Sequence, residues 1–395
     1  MTTFRTRLTA IVLAIAIGGY ATAVHAQGTS AVPINIYAST GKNALAPVAA
    51  RARPLVYVPN SRSGTVTIID PLTYRVVRTF TTGALPQHVV PSHDLATLWV
   101  ANNEGNSLTP IDPVTGQEGT PVAVDDPYNL YFTPDGRFAM VVAEKLNRID
   151  FRDAHTMALV QSVPVACKGV DHMEFTADGR AAIATCEFSG QLVKIDLPTR
   201  TVVGYLDLRP ADAGAMKKLK GMFGKGHSHH MSNSMPQDIR SSPDGTVFYV
   251  ADMKAGGVFL IDPKMLTRIG FIKTGTGAHG LYPSRDGRQL YVTNRGWSRV
   301  IGGHHGPGSV SVLDFATRQI TARWPVPHGG SPDMGNVTAD GSELWVSGRY
   351  DNEVYVFATA TGELTHRIPV GREPHGLCVW PQPGQYSLGH TGNMR

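Results

Sequence analysis

Short apolar runs, alternating with polar positions and broken by turns of the Pro-Asp-Gly type, recur along this chain at intervals of about forty residues. One copy reads Gly280-Leu281-Tyr282-Pro283, the turn Ser284-Arg285-Asp286-Gly287, Leu290-Tyr291-Val292-Thr293-Asn294, Ser309-Val310-Ser311-Val312-Leu313-Asp314 and finally Ile320-Thr321-Ala322-Arg323-Trp324. Four period-two runs per unit predict one four-stranded blade, and about seven units predict an all-β, seven-bladed β-propeller. Within each blade, innermost strand A is followed by B, C and outermost D. B strands are expected to begin near Leu55, Leu98, Phe138, Ala181, Phe248, Leu290 and Leu344. A strands are expected near Val89, Leu130, Met173, Ile239, Gly280, Met334 and Gly376. Because the series opens on a B strand and ends on an A strand, the C-terminal A strand is expected to complete the first blade, leaving no open sheet edge.

The aspartates that punctuate this pattern belong to turns. Asp135, Asp178, Asp244, Asp286 and Asp340 each precede a glycine in the A to B turn, and Asp70, Asp112 and Asp262 each precede a proline after strand C. Short carboxylates there accept backbone N–H groups locally, so they are read as scaffold.

Residues 1–26 carry Arg5 and Arg7, an apolar run from Leu8 to Ile17 and small residues at Ala21, Ala23 and Ala26, which predicts a cleavable secretory signal. Residues 27–54 then form an N-terminal arm, with Ile34 to Tyr37 extending a blade edge, 55–380 the propeller, and 381–395 a tail draped over a surface. No later run is long enough to span a bilayer, so the chain is expected to be periplasmic or secreted. The net charge of +5 falls toward balance once Arg5 and Arg7 are removed, and only Lys217, Lys218 and Lys220 are clustered. Nucleic acid is therefore not expected as a partner.

The run Tyr291-Val292-Thr293-Asn294, with variants Tyr57-Val58-Pro59-Asn60, Trp99-Val100-Ala101-Asn102 and Tyr249-Val250-Ala251-Asp252, resembles the signature of the YVTN-repeat β-propeller family. Across nearly all its mature length the chain is similar to the exported YncE-like members. The resemblance implies the fold and a binding scaffold. It selects no ligand, because propellers host lactonases, haem and copper enzymes and dehydrogenases alike.

Candidate chemistry lies where the repeats differ. Two units are longer than the rest, with surplus between Leu208 and Asp238 and between Arg295 and Gly308. Both surpluses fall on the rim that carries the D to A and B to C connections. On that rim one column of residues reads Gln87, Tyr128, Asp171, Gln237, His279, Asp333 and His375, and the next reads His88, Asn129, His172, Asp238, Gly280, Met334 and Gly376. His88, Asn129, Asp171, His172, Asp238, His279, Asp333 and His375 are accordingly the expected ligand-binding set at the channel mouth, joined by the B-strand ends Glu144, Glu187 and Asp252. Its four imidazoles suit iron or copper. Successive strand residues point to opposite sides, however, so His88 and His172 are expected to face away from His279 and His375. A separate metal candidate is His227, His229, His230 and Met231, with Met235 following, in the first insertion, whose imidazole and thioether donors suit copper. Cys167 and Cys186 bracket one blade and are expected to form a disulfide, with Cys378 a buried apolar residue.

Gly275-Thr276-Gly277-Ala278-His279-Gly280 fits a dinucleotide pattern but joins two strands, with no helix N-terminus to receive a phosphate. No nucleophile elbow, Walker loop or zinc-protease helix is found. The expectation is an exported scaffold that binds a small molecule, metal ion or protein at the decorated rim without catalysing a reaction. The alternatives are an iron or copper redox enzyme and a copper-handling protein.

Overall fold

In the computed structural model, which describes residues 1–2, 34–209, 233–300 and 306–395, the alternating runs fold into seven four-stranded sheets. Strand B of each blade is almost wholly buried, as in Leu55–Asn60 and Ala181–Cys186. Its two faces pack against the neighbouring blades, which is why these runs read as continuously apolar. Outer strands such as Thr201–Asp207 and Thr267–Lys273 keep an exposed face. Ring closure is as expected: Cys378–Trp380 pairs antiparallel with Leu55–Asn60, setting Trp380 opposite Leu55 and Cys378 opposite Tyr57. The turn aspartates behave as scaffold. Thr133 Oγ1 donates to Asp135 at 2.6 Å, and Asp70 accepts the Leu72 N–H at 2.9 Å.

The inner strands begin two or three residues earlier than the apolar pattern indicates, for instance at Pro86, Pro127, Val170, Pro236 and Pro332. Each is interrupted by a register shift just after its start: Pro86/His88, Pro127/Asn129, Val170/Met173, Pro236/Ile239, Ala278/Leu281 and Pro332/Gly335. A bulge places an unpaired residue in the strand and re-aims its side chains. Repeated in six blades, it turns both columns of polar residues toward the axis.

Cys167 and Cys186 are disulfide-bonded, with Cα atoms 5.9 Å apart, inside the apolar core shared by blades 3 and 4. Cys378 is a buried free thiol. Ile34 to Tyr37 extends no blade edge. It leads into a turn at residues 36–39 beside blade 5, where the Ile36 N–H donates to Pro243 O and the Tyr37 hydroxyl to Ser241 O.

The tail does not lie over a surface. From Gln382 to Met394 it enters the end of the channel that carries the A to B turns, burying Gln382, Ser387, Leu388, His390, Thr391, Asn393 and Met394. Its backbone bonds to strand A of blade 3, with Phe132 N–H donating to Leu388 O and His390 N–H to Leu130 O. Arg395 reaches the buried Glu174 at 2.7 Å. The driving forces are burial of Leu388 and Met394 and neutralisation of Glu174, neither of which a surface path would supply.

Candidate axial chamber

The structure gathers the predicted residues inside the channel and not at an open mouth. His88, Asn129, Asp171, His172, Asp238 and Asp333 are fully buried, and His279 and His375 are 1% exposed. Because of the bulges, the two columns are not opposed. The His88 ring lies 4.9 Å from that of His375 and 5.4 Å from that of His172, and the His279 ring lies 5.8 Å from that of His375. Glycine in the second column makes room for this convergence: a Cβ on Gly376 would stand 2.2 Å from His88 Cδ2.

A fifth imidazole, His390, arrives from the tail and meets His172 edge-on at 4.5 Å and His88 at a tilt at 5.3 Å. Nothing in the blade repeat signals it. The only local hint is its setting between Gly389 and Gly392, both at positive φ, where the backbone turns sharply into the channel.

Hydrogen bonds fix several rings. His88 Nδ1 meets Tyr128 O at 2.9 Å, while its Nε2 has no hydrogen-bond partner. Asn129 accepts the Leu130 N–H through Oδ1, so its amide nitrogen is the donor that faces His172 Nδ1 at 3.1 Å and His390 Nδ1 at 2.9 Å. The other nitrogens of those rings approach carboxylates: His172 Nε2 lies 3.1 Å from Asp171 and His390 Nε2 3.5 Å from Asp238. Neither approach is aligned as a hydrogen bond. Asp333 is a hub, with Arg295 at 2.6 Å, His375 Nδ1 at 2.7 Å, His279 Nδ1 at 3.0 Å and Arg349 at 3.7 Å.

Burial governs the protonation states. It drives His88 down to about 4, against the pull of its carbonyl partner. It also lowers His172, His279, His375 and His390. All five imidazoles are therefore neutral at neutral pH and able to offer lone pairs. Asp333 also suffers burial, yet Arg295, with His279 and Arg349, holds it below the ordinary carboxylate range. Asp171 goes the other way, raised by burial and then by Glu187 and Glu144.

The residue following each B strand also lines the channel: Ser61, Asn103, Glu144, Glu187, Met253, Arg295 and Arg349 in blades 1 to 7. Six of the seven are at least nine-tenths buried, and Glu144 is intermediate. Glu144 and Glu187 fall where the sequence places them. Asp252 does not, because it is the last residue of its strand, one position earlier in the repeat. It instead caps the turn before blade 5, accepting Ser234 Oγ at 2.5 Å and the Met235 N–H at 2.9 Å. Aligning Asn294 with Asp252, and so Arg295 with Met253, reveals the ring. Arg295 and Arg349 carry no local motif, and only their shared position one residue beyond the B-strand end marks them.

His227, His229, His230 and Met231, and also His304 and His305, lie outside the described residues. Of the segment Gly275–Gly280, residues 275–277 form the turn into strand A of blade 6, with Gly277 at positive φ, and residues 278–280 already lie in that strand.

A model of the YNCE-like β-propeller matches residues 19–205 and 227–383. No curated protein matches the chain. Among solved structures, hydrazine synthase of Kuenenia stuttgartiensis is similar at 21% identity and a TM-score of 0.61, covering 78% of this chain and 94% of that one. A putative 6-phosphogluconolactonase from Bacteroides uniformis is similar at 17% identity and 0.62, covering 82% of this chain and 98% of that one. The dihydro-heme d1 dehydrogenase NirN, in complex with DHE, gives 16% identity and 0.56, covering 84% and 75%. At these identities the likeness is one of fold. The matched family region ends at residue 383, so His390 lies beyond it.

Proposed function

This chain belongs to the YNCE-like β-propeller family, and from that premise we propose that it is an exported binding propeller whose axial chamber holds one transition-metal ion between His88, His172 and His390. The observation that carries this reading is that one ring nitrogen from each of the three lies within 4.8 Å of the others, in a fully buried setting. An ion bound by imidazole at about 2.0–2.1 Å requires nitrogens about 3.3 Å apart in a tetrahedral set. Small ring rotations therefore close the site.

The surroundings support the same reading. The rings are neutral, the state in which imidazole binds metal. Carboxylates stand near the far nitrogens of two of them, Asp171 by His172 at 3.1 Å and Asp238 by His390 at 3.5 Å, where the ring rotation that closes the site would let each accept an N–H and orient its ring. In the protein without the ion, the Asn129 amide occupies two of the lone pairs, and the ion replaces it as electron-pair acceptor. An all-imidazole set suits copper, iron or zinc. The disulfide fits an oxidising compartment, as do the leader-like N-terminal residues. Among the described residues no helix is long and apolar enough to cross a membrane.

The test is metal analysis of untagged protein, since a His tag would compete. One equivalent of copper, iron or zinc per chain is expected, either as isolated or after loading and desalting, and His172→Ala should lose it. Wild-type protein that retains no ion after loading, or His172→Ala protein that retains it undiminished, would overturn the reading. If the insertion loop were the functional site, deleting residues 226–235 would remove the ion and His172→Ala would not.

A further inference from the structure

The ring of residues that follows the B strands is sorted by charge. Its acidic members, Glu144 and Glu187, stand on adjacent blades 3 and 4, and its basic members, Arg295 and Arg349, on adjacent blades 6 and 7. Met253 of blade 5 separates the two pairs on one side, and Ser61 and Asn103 on the other. Asp171, from strand A of blade 4, adds to the acidic wall. Since equivalent positions of a repeat lie at one level of the channel, the two walls face the same space.

Neither wall is neutralised by the other. Glu187 senses the charges of Arg295 and Arg349, but among the described residues no ion pair joins them. Glu187 accepts from the neutral Gln237 amide at 2.9 Å and shares a carboxyl–carboxylate hydrogen bond with Glu144, so neither of its partners is a cation. The fully buried Asp171 has only the neutral His172 ring, at 3.1 Å, and the Tyr128 hydroxyl beside it, and among the described residues no Lys or Arg pairs with it. On the other side, two guanidinium groups share the single buried carboxylate of Asp333, and Nε and Nη1 of Arg349 make no hydrogen bond. Glu373, 3.9 Å from Arg349, is partly exposed and also pairs with Arg62. Burial biases the acidic wall toward its protonated forms because no Lys or Arg pairs with it among the described residues, while the opposite wall sets two guanidinium groups on one buried carboxylate.

We propose that this chamber is a receptor for a small zwitterion, a molecule bearing an ammonium group and a carboxylate on one short backbone. The ammonium lies against Glu144, Glu187 and Asp171, and the carboxylate takes the free guanidinium edge of Arg349 beside Arg295. A lone cation or anion would satisfy one wall only; a molecule with both ends satisfies both at once, and Arg supplies the planar fork that carboxylates prefer. Burial raises both Glu144 and Glu187, and an ammonium group placed against them would favour their ionised forms. The proposal goes beyond the metal site and does not require the ion.

The test is calorimetric titration of EDTA-treated, full-length protein with glycine, β-alanine and 4-aminobutyrate, with ethylamine and propionate as single-ended controls. At least one zwitterion should bind tenfold or more tighter than both controls. Arg349→Met should reduce that zwitterion to the level of ethylamine, and Glu187→Gln to the level of propionate. A single-ended control that binds as tightly as the best zwitterion, or no saturable heat from any zwitterion up to about 10 mM, would overturn the proposal. The comparison of probes on wild-type protein decides even if a variant fails to fold. Because it is made without metal, zwitterion binding and metal loading can fail independently.

Discussion

Replacing Arg395 by Met tests whether the tail is a structural plug. Glu174 is fully buried, and its Oε1 accepts from Arg395 Nη2 at 2.7 Å, from Asn393 Nδ2 at 3.1 Å and from the Phe175 N–H at 2.8 Å. Its Oε2 accepts the Ser241 N–H at 3.3 Å. The substitution keeps the aliphatic stem and removes the cation, leaving a buried carboxylate with amide donors alone. Breaking a buried pair from one side costs about 3–5 kcal/mol. Arg395 is itself a tenth exposed and Arg240 still attracts Glu174 from farther off, which places the expected loss near 3 kcal/mol. Glu174→Gln in the same background removes the stranded charge and should restore about 2 kcal/mol. Urea unfolding followed by tryptophan fluorescence, run as a double-mutant cycle, measures both values. A loss below about 0.5 kcal/mol for Arg395→Met, or no coupling between the two sites, would refute the anchored tail.

Other expectations follow from the same geometry. The Cys167–Cys186 bond closes a loop of 19 residues' separation, so the Cys167→Ala/Cys186→Ala pair should lose about 3 kcal/mol in urea unfolding. Gly376→Ala drives a methyl into His88 and Gln87 O. It should cost about 1–3 kcal/mol and weaken metal retention at least tenfold, read by competition with a chromogenic chelator. Glu144 is raised to about 9 by burial and then by Glu187. The folded protein therefore holds that proton more tightly than the unfolded chain, and the associated stability is present at low pH and lost as pH climbs toward 9. Glu144→Gln, which cannot ionise, should flatten the decline in thermal midpoint between pH 6 and 9; an unchanged decline would show that other groups cause it.

The propeller was legible because its evidence is local and repeated. Each apolar run reports burial of one strand, each Asp-Gly reports a turn, and a count of B and A strands dictates closure by Cys378–Trp380. The site was legible only as a set of residues. Strand alternation separates His88 from His375, and the bulges that undo this alternation leave no mark in composition, since they arise from how the inner strand pairs with its neighbour. His390 was invisible for a different reason. It lies outside the repeat, and its place depends on the distant partner Glu174, more than two hundred residues away in sequence. The charge-sorted ring was within reach, because Ser61, Asn103, Glu144, Glu187, Met253, Arg295 and Arg349 hold one repeat position. Asp252 obscures it, because an acid that ends strand B of blade 5 resembles Glu144 and Glu187 while standing one repeat position earlier.

The most direct measurement is an anomalous difference map from crystals of untagged protein loaded with one equivalent of zinc or copper. The account expects a single strong peak on the propeller axis, about 2.0–2.1 Å from one nitrogen each of His88, His172 and His390. A peak at residues 226–235 with none on the axis, or an axial chamber empty at full loading, would contradict it.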